Sequence, residues 1–136
     1  MSYFLFLDDE RMPWHVTWVS IPDVSYQIVR DYEQFVAIIE NHGIPKFVTY
    51  DHDLSPEHYI VMNQEVTAYE YDDGDLKKTF HYGAEPTGFE CCKWFVNYCH
   101  ENKLAHPPYE VHSLNPVGAE RIRQYIETAK REGFIT

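Results

Sequence analysis

The stretch KFVTYDHDL, residues 46–54, joins a short apolar run to a charged cluster. Residues 46–50 are typical of a strand that is covered on both faces, as strands of parallel sheets are. Strand formation does not call for the three polar residues that follow, Asp51, His52 and Asp53. The cluster therefore indicates a functional site at the end of a buried strand.

Three further segments predict strands, and two of them also lead into polar side chains. The predicted strands are Tyr3–Leu7, Ser25–Arg30 and Tyr109–His112. The first is followed by Asp8, Asp9, Glu10 and Arg11, and the last by Ser113 and Asn115. Polar groups from three separate regions are thus expected at the carboxyl ends of strands.

Helices are predicted between and after these strands from their N-cap signals. The candidate caps are Asp31, Thr87 and Asn115, and a proline follows the last of these at the first helical position. Strands that alternate with helices predict an α/β fold with a parallel sheet of about four strands and right-handed crossovers.

The length of 136 residues predicts a single domain that spans residues 1–136. Residues 58–82 differ from the rest, because two partly alternating segments flank Asp73-Gly74, which predicts an inserted β-hairpin. Residues 12–23 contain two prolines and two tryptophans, which favours a packed loop over a helix.

Charge and hydropathy exclude several classes of function. The net charge of −11 argues against a broad surface for nucleic acid or anionic lipid, since such surfaces need clustered lysine and arginine. No apolar run approaches the ~20 residues of a membrane span. The first residues lack the basic region of a secretory signal, which predicts a cytoplasmic protein. The three cysteines are interpreted as buried structural thiols.

The carboxylates after the first and third predicted strands indicate a divalent metal site. Carboxyl ends of parallel strands meet at one edge of the sheet, so Asp8, Asp9 and Asp51 are expected to lie together. Such carboxylates repel one another unless a cation neutralises them. Their oxygen ligands suit Mg²⁺ or Mn²⁺, which keep water ligands that a phosphate can displace.

Other polar residues at the same edge are candidates for catalysis and phosphate binding. His112 and His52 are each either a proton-transfer group or an ordinary buried histidine, and position favours His112. Arg11 either clamps a phosphate or pairs with the neighbouring acids. Ser113 and Asn115 precede a helix N-terminus, where they bind phosphate, cap the helix, or do both. Asp53 is interpreted mainly as a residue that turns the loop.

Four motifs in order resemble the cyclic-phosphate processing receiver domains, a family with a receiver-like (flavodoxin-like) fold. The motifs are Leu7-Asp8-Asp9-Glu10-Arg11-Met12-Pro13, Tyr50-Asp51-His52-Asp53-Leu54, Thr87-Gly88, and residues 112–120 (HSLNPVGAE). The resemblance covers nearly the whole chain except the predicted hairpin. It implies a three-layer fold in which Asp8 and Asp9 hold the metal and Asp51 is the central acid. It differs from ordinary receivers, because the fifth strand with its phosphate-binding lysine and the usual first helix are not expected.

The resemblance implies metal-dependent hydrolysis of a cyclic phosphate on a nucleotide or RNA end, in RNA repair or in conflict between phages and bacteria. Either water attacks the phosphorus while His112 or His52 moves the proton, or Asp51 itself attacks and forms an aspartyl-phosphate. A non-catalytic module that binds a phosphorylated or cyclic ligand, or a protein partner, is the alternative. The sequence leaves open whether the chain forms a homo-oligomer.

Overall fold

The computed structural model of the protein describes residues 2–54 and 86–136. Its elements in this part of the chain are β1 (Phe4–Leu7), β2 (Gln27–Val29), α1 (Tyr32–His42), β3 (Phe47–Tyr50), α2 (Gly88–Asn102), β4 (Tyr109–Val111) and α3 (Pro116–Arg131). A single 3₁₀ turn, Pro13–His15, lies between β1 and β2. The predicted hairpin at 58–82 lies outside the described residues.

The four strands form one parallel sheet in the order β2-β1-β3-β4. Leu7 pairs with Val29 on one side and with Tyr50 on the other, and Tyr50 pairs with Val111. The residues that follow Leu7, Tyr50 and Val111 therefore leave the sheet side by side. The α/β fold with a parallel sheet of four strands is confirmed.

The strand order changes direction between β1 and β3. The chain first moves from β1 outward to β2, then returns past β1 to β3 and continues to β4. The connections after β1 and β3 consequently leave toward opposite faces of the sheet, given right-handed crossovers. In open parallel sheets this switch point is where ligands usually bind.

The described helices share one face of the sheet, where they form the main core. Contacts join α1 to α2 and α2 to α3. Strand residues on this face pack with residues from all three helices in one buried cluster that includes Leu5, Leu7, Val48, Tyr50, Val111, Phe35, Ile39, Phe95, Ile122 and Ile126. Ile38 and Phe89 are half-buried and pack against the edge of this cluster.

A largely non-helical segment covers part of the opposite face and supplies the third layer. Tyr26 packs edge-on against Phe4 and Phe6 of β1, at ring-centroid distances of 6.0 Å in both cases. Val16 from the same connection is buried. The expectation that the proline- and tryptophan-rich stretch would not form the usual first helix is confirmed.

Two of the three predicted N-cap residues make the side-chain hydrogen bond that caps a helix. Asp31 accepts a hydrogen bond from the backbone N–H of Gln34 at 2.8 Å, and Asn115 accepts one from Gly118 at 3.0 Å. Thr87 occupies the N-cap position of α2 as predicted, but its side chain makes no cap hydrogen bond. No helix in the described ranges is long and apolar enough to cross a membrane.

The three cysteines are free thiols buried in α2. Burial raises the pKa of the Cys99 thiol to about 11 and raises the pKa values of Cys91 and Cys92 as well. A thiol that stays protonated is a poor nucleophile and a poor metal ligand. The interpretation of these residues as structural thiols is therefore supported by their surroundings.

A buried histidine in the core makes stability depend on pH. His106 Nδ1 lies 2.7 Å from the carbonyl oxygen of Pro107, to which it donates, and Nε2 lies 2.8 Å from the Tyr50 hydroxyl. These contacts suit the neutral ring. Burial lowers the pKa of His106 to about 4 from an ordinary value of 6.5.

We expect the contribution of His106 to the free energy of unfolding to fall as the pH is lowered from 6.5 to about 4, whatever the other titratable groups contribute. In this range the unfolded chain binds a proton at His106 and the folded protein does not. The effect is roughly 3 kcal/mol and should be absent from His106→Gln. Urea unfolding of both proteins across this range measures the difference, and an identical pH dependence in the two would contradict the expectation.

Candidate active site at the switch point

Asp8 lies directly after β1 and is fully buried. Its Oδ1 accepts hydrogen bonds from the backbone N–H groups of Glu10 and Arg11, at 2.9 and 2.8 Å. Its Oδ2 lies 3.0 Å from Nε2 of His112 and 3.3 Å from Nη1 of Arg11. Burial alone would raise the pKa of Asp8, but the bonds from His112 and the two backbone groups outweigh it and lower the pKa to about 2. Asp8 is therefore a fixed negative charge.

Asp51 lies directly after β3, next to Asp8, and is also buried. Its Oδ1 accepts a hydrogen bond from the backbone N–H of His52 at 2.9 Å. Its Oδ2 is buried without a hydrogen-bond partner among residues 2–54 and 86–136. Burial, followed by the negative charge of Asp8, raises the pKa of Asp51 to about 8. Such a carboxyl needs either a proton or a cation beside it.

Arg11 is the cation that the structure brings to both carboxylates. Its Nη1 lies 3.8 Å from Oδ2 of Asp51, as well as 3.3 Å from Oδ2 of Asp8. Arg30, at the end of β2, fixes the loop that carries Arg11. Nη1 of Arg30 donates to the carbonyl oxygens of Asp8 and Arg11 at 3.0 and 2.7 Å. The loop that carries the guanidinium of Arg11 is thus held in place by Arg30.

His112 follows β4 and is fully buried beside the two acids. Its Nδ1 lies 2.7 Å from the hydroxyl of Thr49, and its Nε2 lies 3.0 Å from Asp8. The ring also stacks on Phe6, with centroids 4.7 Å apart. Both ring nitrogens and one ring face are therefore engaged, and this arrangement suits holding the carboxylate of Asp8 in place.

His52 forms a second polar cluster with Asp53 and Asn115, next to the cluster of Asp8, Asp51, Arg11 and His112. Its Nδ1 lies 2.9 Å from Oδ1 of Asp53, whose Oδ2 accepts a hydrogen bond from Nδ2 of Asn115 at 3.2 Å. The ring packs so closely on α3 that a Cβ atom at Gly118 would lie 2.3 Å from its Cγ. Nε2 of His52 is buried and lacks a hydrogen-bond partner within the described part of the chain.

The residues predicted to bind metal are not all brought together. The ligand atoms of Asp8, Asp51 and His112 all lie within 4.8 Å of one another. Asp9 is outside this group and is half-buried, and burial, with the charges of Asp8 and Glu10, raises its pKa. Two carboxylates with a nearby imidazole suit Mn²⁺ as well as Mg²⁺ with water ligands. The orphaned oxygen of Asp51 is the feature that best fits a cation.

The two predicted phosphate ligands, Ser113 and Asn115, both lie at the start of α3. Ser113 is half-buried, and its hydroxyl accepts a hydrogen bond from the backbone N–H of Asn115 at 3.0 Å. The amide of Asn115 is committed to capping α3 and to Asp53. The capping interpretation of Asn115 is therefore confirmed, and its role in phosphate binding stays a prediction.

Sequence reasoning did not single out three residues that shape the site. Thr49, which contacts His112, is a lone polar residue inside a buried strand, and that exception to the pattern is a usable signal. Arg30 is a cation at the end of a strand beside the switch point. Trp18 donates from Nε1 to the carbonyl oxygen of His112 at 2.8 Å, and no local pattern predicts a contact that far along the chain.

Comparison with known proteins gives one match. A family model described as "Cyclic-phosphate processing Receiver domain" matches residues 3–128 of the 136. Searches of curated proteins and of solved structures each found no match. The matched residues include both acids at the switch point, His52 and His112.

Proposed function

Because the chain belongs to the family of cyclic-phosphate processing receiver domains, we propose that it hydrolyses a cyclic phosphate on a nucleotide or RNA end with a bound divalent cation. The observation that carries this proposal is the buried Oδ2 of Asp51, which lacks a hydrogen-bond partner within residues 2–54 and 86–136 and lies beside the ionised Asp8. We place the activity in RNA repair or in conflict between phages and bacteria, because RNA cleavage leaves 2′,3′-cyclic ends.

Asp8 and Asp51 would hold the cation, with Asp9 completing the protein ligands and His112 holding Asp8 in place. A bound Mg²⁺ or Mn²⁺ would supply the positive charge that neutralises these acids and polarises a phosphate. Thr49 and Phe6 support this role indirectly, since they fix the ring of His112, which in turn positions Asp8. The acids are therefore arranged before any ligand arrives, as electrostatic catalysis requires.

Arg11 and the start of α3 would receive the phosphate oxygens. The guanidinium of Arg11 already lies between the two carboxylates, and its geometry suits bidentate binding of a phosphate. The hydroxyl of Ser113 and the N-terminus of α3 offer hydrogen-bond donors and a favourable dipole. In a protein with a net charge of −11, the local positive charge of Arg11 and the dipole of α3 would help to draw an anionic substrate in.

The contacts favour His52 over His112 for moving the proton. Hydrolysis adds water to phosphorus, breaks one of the two ring P–O bonds and leaves a proton on the released oxygen. Nε2 of His52 can take a proton from the attacking water without losing a hydrogen bond to any residue that the structure describes, while Asp53 holds Nδ1 and fixes the ring. Both nitrogens of His112 would first have to give up their present contacts.

We expect turnover of a 2′,3′-cyclic nucleotide or of cyclic-phosphate-ended RNA to require Mg²⁺ or Mn²⁺. Product formation is measured with a panel of these substrates and 3′,5′-cyclic nucleotides, before and after removal of metal with a chelator. Activity should disappear on chelation and return with added metal. Trapping a phosphorylated Asp51 would select the aspartyl-phosphate route over direct attack by water. Tight binding of one ligand without turnover of any would overturn the enzyme proposal in favour of a binding module.

A further inference from the structure

Trp18 is a large side chain held firmly beside the site, yet 39% of its surface stays exposed. Its Nε1–H donates to the carbonyl oxygen of His112 at 2.8 Å, so the polar end of the indole is fixed to the residue that contacts Asp8. Exposed apolar surface costs roughly 25 cal/mol per Å². An indole that is anchored at its N–H and keeps this much exposed surface is suited to stacking on a ligand.

Arg11 links this indole to the charged centre. Its Cζ lies 5.3 Å from the centroid of the Trp18 ring, and its Nη1 lies within 4 Å of both Asp8 and Asp51. A phosphate held by Arg11 would therefore sit next to the indole. Whatever group the phosphate carries is the part of the ligand that can reach Trp18.

We propose that Trp18 stacks on the nucleobase of the substrate, so that the site selects cyclic phosphates that carry a base. This inference rests on the proposed function and adds the residue that recognises the base of the nucleotide or RNA end. Base stacking on an aromatic ring is strong and tolerates different bases. Trp18 would therefore favour ligands that carry a base, without distinguishing one base from another.

A purely structural role for Trp18 predicts something different. If the indole only covers Arg11 and keeps it oriented, its loss should weaken every phosphate ligand equally. If it stacks on the base, its loss should weaken only ligands that have one. A pair of substrates that differ in the base alone separates the two roles.

The test compares wild type, Trp18→Ala and Trp18→Phe on a 2′,3′-cyclic nucleotide and on 1-O-methylribose 2,3-cyclic phosphate, which has no base. We expect Trp18→Ala to lower kcat/KM for the nucleotide by about 5- to 100-fold, mainly through KM. The base-free substrate should change less than about twofold, within the scatter expected of a substitution that removes no contact to it. Trp18→Phe should restore much of the loss. The control is Trp14→Ala, since Trp14 is 71% exposed and contacts His15 rather than the site acids.

Binding measured by calorimetry separates this inference from the proposed function. Base-dependent binding that Trp18→Ala abolishes, without turnover of any substrate, would support stacking and refute hydrolysis. Turnover that is equally fast with and without a base would support hydrolysis and overturn stacking. An equal loss of both substrates in Trp18→Ala, or no binding of either ligand, would also overturn stacking.

Discussion

Replacing Asp51 with asparagine is expected to lower kcat/KM for a 2′,3′-cyclic nucleotide by about 1,000-fold. The amide keeps the size of the carboxyl and one acceptor for the backbone N–H of His52, but it removes the charge that would hold the cation. The loss should appear in kcat as well as in metal affinity, which initial rates over a Mn²⁺ titration measure together.

The same substitution should raise the thermal stability of the metal-free protein. Burial and the charge of Asp8 make an ionised Asp51 unfavourable in the fold, and this is why its pKa is raised to about 8. Removing the charge relieves that cost, whereas metal should stabilise wild type and leave Asp51→Asn unaffected. Asp23→Asn, at an exposed acid, is the matched control for loss of charge. Full activity with retained metal affinity in Asp51→Asn would refute the role assigned to Asp51.

Gly88→Ala is expected to destabilise the fold by about 3 kcal/mol or more. A Cβ atom at Gly88 would lie 1.7 Å from the carbonyl oxygen of Asp51 and 3.0 Å from Cα of His52. Both are backbone atoms, so no side-chain rotation can make room. Urea unfolding measures the effect, which is opposite in sign to the gain usually seen for alanine over glycine in a helix.

Gly118→Ala is the informative companion to this variant. Its Cβ would meet the ring of His52 at 2.3 Å, which is a side chain and can move. We expect a smaller loss of stability than in Gly88→Ala. Relative to that loss in the free energy of unfolding, the loss of activity should be larger than in Gly88→Ala, because the displaced group is the proposed base. Equal stability of Gly88→Ala and wild type would show that the close approach of α2 to the loop after β3 is not rigid.

The sequence predicts the strand ends well because the physical signal there is local. Asp8 and Asp51 each directly follow a short, mostly apolar run, His112 ends the fourth predicted strand, and parallel pairing then brings the three together. Asp31 and Asn115 could likewise be predicted as caps, since a cap is recognised within four residues. The fold and the position of the site follow from such short-range patterns.

Roles within the site could not be predicted, since they depend on contacts between distant segments. His112 was favoured over His52 for proton transfer, yet Thr49, 63 positions away, and Asp8, 104 positions away, occupy its two nitrogens. Asp53 was interpreted as a turn residue, but it contacts the ring of His52 and the amide of Asn115. Asp8 and Asp9 are equivalent in the sequence, and only the geometry distinguishes the buried acid from the half-exposed one.

The contact between Gly88 and the loop after β3 also bears on how this domain can diversify. The backbone N–H of Gly88 donates to the carbonyl oxygen of His52 at 2.7 Å. The start of α2 therefore lies directly beside the loop that follows β3. His52 and Gly88, which flank residues 55–85 in the chain, are thus joined directly. Because this bond lies between described residues, we expect changes in the length or composition of residues 55–85 to leave Asp51 and His52 in place.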